Sequence, residues 1–162
     1  AVQATSVFAT IANDGVRMLP RLISGYSNSE GTYEPSAIDD GVRVVSPKTA
    51  KTVREMLESV VSADGTAKNM QIPGYRVGGK TGTANRYDEA TGGYSGYTSS
   101  FIGMAPAEKP ALVMSVSIHN PKTSTYGSVV AGPVFKEVMT YALAYKKVPP
   151  STTKPPKLPV EW

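Results

Sequence analysis

A chain of 162 residues is long enough for one globular domain or for a large part of one. It has no cysteine and a single histidine, His119, which excludes disulfides, thiolate metal sites and multi-histidine metal sites. The net charge of +4 is spread along the chain, without the clusters of basic and aromatic residues that a nucleic-acid surface requires. No apolar run approaches the length that spans a membrane.

The chain opens inside an amphipathic pattern and without an initiator Met. The pattern predicts a helix that ends at Asn13-Asp14-Gly15, since glycine readily adopts the left-handed conformation at a helix terminus. The predicted apolar face consists of Val2, Val7, Phe8, Ile11 and Ala12. Because this helix has neither a cap nor a preceding turn, we expect the chain to be a fragment of a longer protein.

A hairpin and a second helix are predicted next. Residues 16–26 indicate a strand in which Pro20 suits an edge position, residues 27–31 a turn, and residues 41–46 a second strand. Ser46 and Pro47 mark the start of the clearest helix, as N-cap and first-turn residues. The predicted buried stripe of this helix comprises Ala50, Val53, Leu57, Val60 and Val61.

Three strands and a last helix complete the predicted domain. The strands cover residues 75–84, 98–105 and 112–120, joined by a Gly- and Tyr-rich loop at 85–97 and a connection at 105–111. Such short connections imply antiparallel neighbours. The last helix begins near residue 131, and its apolar face comprises Phe135, Val138, Met139, Ala142 and Leu143. The expected fold class is therefore α+β, an antiparallel sheet with helices packed on its faces.

Proline dominates the end of the chain, KVPPSTTKPPKLPVEW. A proline-rich segment favours an extended backbone with little helix or sheet. We therefore expect a domain at residues 1–148 and an extended tail at residues 149–162.

The stretch GYRVGGKTGTAN, residues 74–85, admits two interpretations that use the same lysine, Lys80. Its first eight residues match a phosphate-binding loop, and Lys80-Thr81-Gly82 matches the Lys-Thr-Gly signature of penicillin-interacting enzymes. A phosphate-binding loop needs a buried strand before it and a helix immediately after it. Residues 71–74 indicate a turn and a glycine-rich loop follows Thr83, so a nucleotide-binding loop is the weaker alternative.

As a strand, this stretch could bind an extended peptide alongside it. Lys80 would attract the terminal carboxylate of the peptide, and the Thr81 and Thr83 hydroxyls would donate hydrogen bonds to it. A backbone N–H beyond Gly82 could stabilise a carbonyl oxygen that becomes negative during acyl transfer. Three glycines should leave one side of the strand bare: Gly78, Gly79 and Gly82. An ordinary strand with an exposed lysine is the competing interpretation.

Other candidate groups have simpler structural explanations. His119 could act as a base with Ser115 or Ser117, but no acid partner is evident and a packed strand residue is favoured. Asp39 and Asp40 could bind a cation, although a solvated turn is favoured. Residues in two loops could flank a cleft beside Lys80, and they are Tyr94, Ser95, Tyr97, Ser124, Tyr126 and Gly127.

Four stretches in this order resemble the C-terminal half of the transpeptidase domain of class B penicillin-binding proteins. They are AVQATSVFATIANDGV, LESVVSADGTAKNMQIPGYRVGGKTGTAN, SSFIGMAPAEKPALVMSVSI and VVAGPVFKEVM. The resemblance extends from residue 1 to about residue 148. The proline-rich ending is further similar to the cell-division (septal) transpeptidases of actinobacteria.

The resemblance implies part of a serine-type peptidoglycan D,D-transpeptidase, which cross-links stem peptides by acyl transfer from D-Ala-D-Ala and is acylated by β-lactams. Lys80, Thr81, Gly82 and Thr83 match the third motif of the family. Thr83 would give the backbone oxyanion donor, and Lys80 would lend charge and orient the serine of the second motif. The Thr81 and Thr83 hydroxyls would hold the carboxylate. Tyr97, Tyr126 and Gly127 are further candidates for substrate binding.

The family's nucleophile is not expected in this chain. There is no Ser-x-Asn motif, and the one Ser-x-x-Lys, Ser151 to Lys154, lies between proline pairs that prevent the helix such a motif needs. Tyr26-Ser27-Asn28 imitates a Tyr-x-Asn variant of the second motif but falls at a predicted turn. Both motifs should therefore lie upstream, and the chain alone should be inactive.

The resemblance also implies the cellular setting. The partners would be peptidoglycan stem peptides, β-lactam antibiotics, the upstream part of the same domain and cell-division proteins, with no nucleic acid. No cofactor and no metal are implied. The protein would act at the extracytoplasmic face of the bacterial cell membrane, anchored by an N-terminal segment absent here. A non-catalytic β-lactam sensor or scaffold domain of the same fold and a serine β-lactamase are alternatives.

Overall fold

A computed structural model describes residues 1–156 and 158. Within these residues the helices are α1 (Val2–Ala12), α2 (Pro47–Val61), α3 (Gly127–Val130) and α4 (Gly132–Tyr145), with a 3-10 turn at Lys68–Met70. The strands are β1 (Val16–Arg17), β2 (Gly25–Ser27), β3 (Tyr33–Pro35), β4 (Val42–Arg43), β5 (Gly78–Asp88), β6 (Gly93–Ala105) and β7 (Leu112–His119). All strand pairs are antiparallel, so the predicted α+β class is confirmed.

The central sheet has the order β5-β6-β7, so β5 is an edge strand in the described part of the chain. Its register pairs Lys80 with Ile102 and Ile102 with Ser115. Helices α1 and α2 contact one face of this sheet, and α3 and α4 contact the other. We call these the α2 face and the α4 face.

The hydrophobic core lies mainly on the α4 face. Phe101 of β6 and Phe135 of α4 are fully buried, with ring centroids 4.7 Å apart in an edge-to-face arrangement. Met70, Met139 and Leu143 are also buried in this cluster. Burial of each such side chain stabilises the fold by about 1.5–3 kcal/mol, so this cluster fixes α4 against the sheet.

Helix α2 begins as predicted, because the Ser46 hydroxyl accepts a hydrogen bond from the Thr49 N–H at 3.1 Å. Of the predicted stripe, Ala50 and Val61 are buried and the other three members are half-buried. The sequence pattern missed two charged side chains on the buried side, Arg54 and Glu58. They are buried because both have partners, which is the usual condition for charges inside a protein.

The predicted apolar faces of the two terminal helices are only partly buried. In α1, Val2 and Val7 are 67% and 60% exposed, whereas Thr10 is buried. The Thr10 hydroxyl can be buried because it donates to the Ser6 carbonyl. In α4, Val138 is 46% exposed. The side chains of this helix that are buried against the sheet form a stripe of Phe135, Met139 and Leu143.

The prediction of a single strand at residues 16–26 is wrong. It is divided into β1 and β2, and Pro20 lies in the irregular segment between them because proline has no N–H for a strand ladder. Strand β1 pairs with β4, and β2 pairs with β3. The predicted turn at 27–31 is confirmed between β2 and β3.

The strand predicted at 75–84 begins and ends later than expected. It starts at Gly78, and the predicted loop at 85–97 is instead a continuation of β5 and β6, closed by a short turn. Tyr87 and Tyr94 lie opposite each other in this extension, with ring centroids 6.0 Å apart. Cross-strand aromatic pairs stabilise a ladder, which explains why strand structure extends into a glycine-rich segment.

The proline-rich tail has neither helix nor strand from residue 149 to residue 156, as expected. It lies against the segment before β5: the Ser151 N–H donates to the Gly74 carbonyl at 2.9 Å, and the Arg76 N–H donates to the Ser151 hydroxyl at 2.9 Å. The part of the predicted tail at 157 and 159–162 lies outside the described residues. Among the described helices, none has the length and apolar character needed to cross a membrane.

Candidate carboxylate-binding site

The Lys-Thr-Gly motif lies in the middle of β5, the edge strand. The strand is continuous from Gly78 to Asp88, and no helix follows Thr81. A phosphate-binding loop requires a helix N-terminus at this point. The nucleotide-binding alternative for Lys80 is therefore wrong.

Lys80 is exposed, and its ammonium group is directed toward its own strand. Lys80 Nζ donates to the Thr81 carbonyl oxygen at 3.2 Å and to the Thr81 hydroxyl at 3.4 Å. No carboxylate within 4 Å neutralises this ammonium in the described part of the chain. The site thus presents a positive charge beside a hydroxyl, which suits an anionic group.

The motif's side chains divide between the two faces of the sheet, as strand alternation requires. Lys80 and Gly82 lie on the α2 face, and Thr81 and Thr83 lie on the α4 face, opposite Phe101 and Ser99. A ligand at the free edge of β5 would therefore meet the ammonium group from one face and the hydroxyls from the other.

The Thr83 hydroxyl already has a partner within the chain. Thr83 Oγ1 donates to the Thr125 carbonyl oxygen at 3.0 Å, and the fully buried Ser99 hydroxyl donates to the same oxygen at 2.6 Å. No sequence pattern pointed to Ser99, because serine is a residue type that is mostly exposed to solvent. The role of the Thr83 hydroxyl toward a ligand carboxylate stays a prediction.

The glycines of β5 do not leave a bare side, and this expectation is wrong. A Cβ at Gly78 would lie 3.3 Å from Leu57 of α2, and one at Gly79 would lie 2.5 Å from the Phe101 ring. A Cβ at Gly82 would lie 2.6 Å from the Ser100 hydroxyl. These glycines instead allow elements of the same chain to approach closely, and the accessible feature of β5 is its free edge.

The segment that leads into α3 reaches the motif through Gly127, the first residue of this helix. This residue is buried, and a Cβ there would lie 2.1 Å from the Ser100 carbonyl oxygen and 3.0 Å from that of Gly82. Tyr126 precedes it and is 70% exposed. Tyr97 is paired with Asn85, further along β5 and two residues beyond Thr83. Their predicted contacts with substrate stay predictions.

A buried ion pair supports the start of β5, and the sequence pattern did not indicate it. Arg76 donates through Nε and Nη2 to both carboxylate oxygens of Glu58 at 2.9 and 2.7 Å, and through Nη1 to the Thr153 hydroxyl at 2.8 Å. The bidentate hydrogen bond to Glu58 raises the pKa of Arg76 above its usual value. Arg76 thereby links α2, the segment before β5 and the tail.

The remaining sequence candidates have structural roles. The Ser151 hydroxyl accepts a hydrogen bond from Arg76 in a segment without helix, so Ser151 and Lys154 do not form a catalytic Ser-x-x-Lys. The side-chain oxygen Oδ1 of Asn28 accepts hydrogen bonds from the N–H groups of Glu30 and Thr32, which stabilises the β2–β3 turn.

His119 and the pair of aspartates likewise have local contacts. His119 Nδ1 is hydrogen-bonded to the Thr98 hydroxyl at 2.9 Å, across from it on β6. Asp39 accepts from the Gly41 N–H at 3.4 Å. Within the described residues, no group of three or more His, Cys, Asp or Glu side chains could hold a metal ion.

Comparison with known proteins identifies the family of this chain. The family described as "Penicillin binding protein transpeptidase domain" matches residues 1–140. Penicillin-binding protein PbpB of Mycolicibacterium smegmatis is 36% identical over 170 residues, which cover 99% of this chain and 26% of the relative. A probable peptidoglycan D,D-transpeptidase PenA of Neisseria flavescens is 42% identical over 126 residues, covering 76% of this chain and 31% of the relative.

A solved structure has the same fold. Penicillin-binding protein 3 of Mycobacterium tuberculosis, crystallised in complex with ampicillin, aligns with a TM-score of 0.83 and 34% identity, covering 96% of this chain and 36% of the other. The chain thus spans about a quarter to a third of the length of these relatives. With the family match covering most of the sequence, the chain belongs to the penicillin-binding protein transpeptidase domain family.

Proposed function

We propose that this chain supplies the carboxylate-binding strand of a serine-type peptidoglycan D,D-transpeptidase. The observation that carries the proposal is the position of the Lys-Thr-Gly motif on an edge strand, with an exposed ammonium group at Lys80 and threonines on the opposite face. The substrates would be stem peptides that end in D-Ala-D-Ala. β-Lactams, which carry a comparable carboxylate, would bind at the same strand.

Backbone geometry supports a role for the free edge of β5. The Thr81 carbonyl accepts a hydrogen bond from the Lys80 ammonium group. This is expected of a carbonyl that points to the free edge of β5 rather than one that is hydrogen-bonded to β6. In an antiparallel ladder the backbone groups of alternate residues point the same way. The Thr83 N–H would therefore also lie on the free edge, where it could stabilise the oxyanion of the tetrahedral intermediate.

Each residue of the motif has its own role in the proposed acyl transfer. Lys80 attracts the carboxylate and orients a serine of the second motif, Thr81 donates a hydroxyl to the carboxylate, and Gly82 completes the Lys-Thr-Gly motif by allowing β5 to approach Ser100 of β6 closely. Thr83 provides the backbone oxyanion donor. The nucleophilic serine and its lysine base come from a part of the protein outside this sequence, so residues 1–148 act as the C-terminal portion of the catalytic domain.

The cellular setting follows from the same proposal. Cross-linking of peptidoglycan takes place on the outer side of the cytoplasmic membrane, so the whole protein acts there, held by a membrane anchor in another segment. The similarity to mycobacterial PbpB supports a septal role with cell-division proteins as partners. The ampicillin complex of the tuberculosis relative supports β-lactam binding.

The test is acylation of the whole protein that contains this chain, followed by intact-mass spectrometry with ampicillin. Lys80→Ala should lower the acylation rate constant roughly 10- to 100-fold, the range expected when one hydrogen bond to a charged group is lost. Lys109→Ala is the matched control, because Lys109 is exposed in the β6–β7 connection. Equal rates for both variants would contradict the role of Lys80.

The same measurement applied to this chain alone should give no adduct. Turnover of a peptide ending in D-Ala-D-Ala by the whole protein would support the transpeptidase. Acylation by ampicillin without any such turnover would instead indicate a β-lactam sensor of the same fold.

A further inference from the structure

Two hydroxyl groups converge on one carbonyl beside the Lys-Thr-Gly motif. Thr83 of β5 and Ser99 of β6 are directly opposite each other in the sheet, and both donate to the Thr125 oxygen, at 3.0 and 2.6 Å. Ser99 is fully buried, whereas Thr83 is exposed at the edge strand. A carbonyl oxygen has two lone pairs and can accept both hydrogen bonds, so the two donors are interchangeable in satisfying it.

The carbonyl belongs to the loop that lies over the motif. Residues 120–126 connect β7 to α3 without regular structure, and the next residue, Gly127, contacts the backbone of Gly82 and Ser100 so closely that it cannot carry a Cβ. The hydrogen bonds to Thr125 therefore hold the loop, and with it the exposed Tyr126, against the α4 face of β5. Loss of both would leave this carbonyl without a side-chain partner.

The arrangement creates a conflict at Thr83, because a hydroxyl has only one proton to donate. A Thr83 hydroxyl that donates to Thr125 cannot donate to a ligand carboxylate at the same time. The hydroxyl could turn to the ligand at low cost only if another donor keeps the Thr125 carbonyl satisfied. Ser99 is in place for that, at a shorter distance and out of contact with solvent.

We propose that Ser99 is a positioning residue of the carboxylate site: it holds the Thr125 carbonyl, so that the Thr83 hydroxyl is released to the carboxylate when a ligand binds. This inference rests on the proposed function. Ser99 itself does not touch the ligand. It acts through Thr83, and its removal leaves Thr83 as the one side-chain donor to the loop, in competition with the ligand.

The first test measures acylation by ampicillin in the whole protein that contains this chain, as a double-mutant cycle. Thr83→Val should lower the acylation rate constant roughly 10- to 100-fold, the loss expected for one hydrogen bond to a charged group, and Ser99→Ala should lower it roughly 2- to 10-fold, the loss expected for one neutral hydrogen bond. In the Thr83→Val background, Ser99→Ala should lower the rate by a smaller factor than in the wild-type background, because Ser99 acts on the ligand through the Thr83 hydroxyl. Losses that multiply, or a Ser99→Ala variant with the wild-type rate, would overturn the inference.

A matched control separates positioning from general damage to the sheet. Ser117→Ala removes a hydroxyl from β7, on the α2 face and opposite Ser100, where it makes no hydrogen bond within the described residues. It should acylate at the wild-type rate. Ser99→Cys keeps a weak donor in a somewhat larger side chain and should recover part of the rate that Ser99→Ala loses.

The second test does not require acylation. Hydrogen–deuterium exchange of the whole protein that contains this chain should show faster exchange of residues 121–130 in Ser99→Ala than in Ser117→Ala, because the loop has lost its buried anchor. Equal exchange in both variants would overturn the inference even if the whole protein is not acylated. Absence of acylation in the wild type would contradict the proposed function alone.

Discussion

The two ends of β5 are stabilised by different kinds of contact, although they belong to one continuous strand. At its start, Gly78 and Gly79 are buried between α2 and Phe101, and the preceding Arg76 is fixed by Glu58. Beyond Thr83 the strand forms an exposed arm. This arm is stabilised by its pairing with β6 and by the contact of Tyr87 with Tyr94. The candidate site lies where the packed part meets the exposed arm, so it combines a fixed backbone with access to solvent.

This comparison predicts that substitutions before the motif should cost far more stability than matched substitutions after it. The largest effect is expected for Arg76→Ala, which leaves the Glu58 carboxylate buried without its partner. Removing one partner of a buried pair costs about 3–5 kcal/mol. The free energy of unfolding from urea denaturation measures the loss.

Arg86→Ala is the control for Arg76, since Arg86 is an exposed arginine on β5, beyond the motif. Its substitution should change the free energy of unfolding by no more than about 0.5 kcal/mol. If both variants are equally stable, the contrast between the two ends of β5 is wrong.

The next largest effect is expected for Gly79→Ala. The added Cβ would lie 2.5 Å from the Phe101 ring and 2.8 Å from the Ile102 carbonyl oxygen, so the core or the strand must shift. Overpacking of this kind costs about 1–3 kcal/mol. Thermal unfolding should show the loss.

Gly93→Ala, at the start of β6 on the exposed arm, provides the comparison because no heavy atom lies within 4 Å of its added Cβ. The melting temperature of this variant should stay at the wild-type value or rise slightly, since alanine restricts the unfolded chain more than glycine does. A melting temperature for Gly79→Ala as high as that of Gly93→Ala would show that the core accommodates the methyl group.

The smallest effect is expected on the arm itself. Tyr94→Ala removes an edge-to-face contact with Tyr87, and Tyr94 is 75% exposed, so the loss should be about 0.2–1 kcal/mol. A double-mutant cycle with Tyr87→Ala isolates the contact, measured by chemical denaturation. A coupling energy near zero would mean that backbone pairing alone maintains the arm.

Local sequence signals determined most of the elements and the place of the motif. Ser46 and Pro47 marked the start of α2, short connections implied the antiparallel order of the last three strands, and the glycines with Lys80 marked the strand of the site. These features depend on backbone conformation over a few residues, which is why they can be predicted. Family resemblance added the roles proposed for the motif residues, which composition and spacing alone leave open.

Tertiary contacts decided the rest. Periodicity placed Val2 and Val7 on a buried face, but burial depends on which surface another element covers. No local pattern could show that Glu58 meets Arg76, or that Ser99 and Thr83 share the Thr125 carbonyl, since these partners are 18, 26 and 42 residues apart. Local sequence features are therefore enough to locate the strand that carries the site. The contacts that hold this strand become known only from the folded chain, because long-range polar partners meet only when the chain is folded.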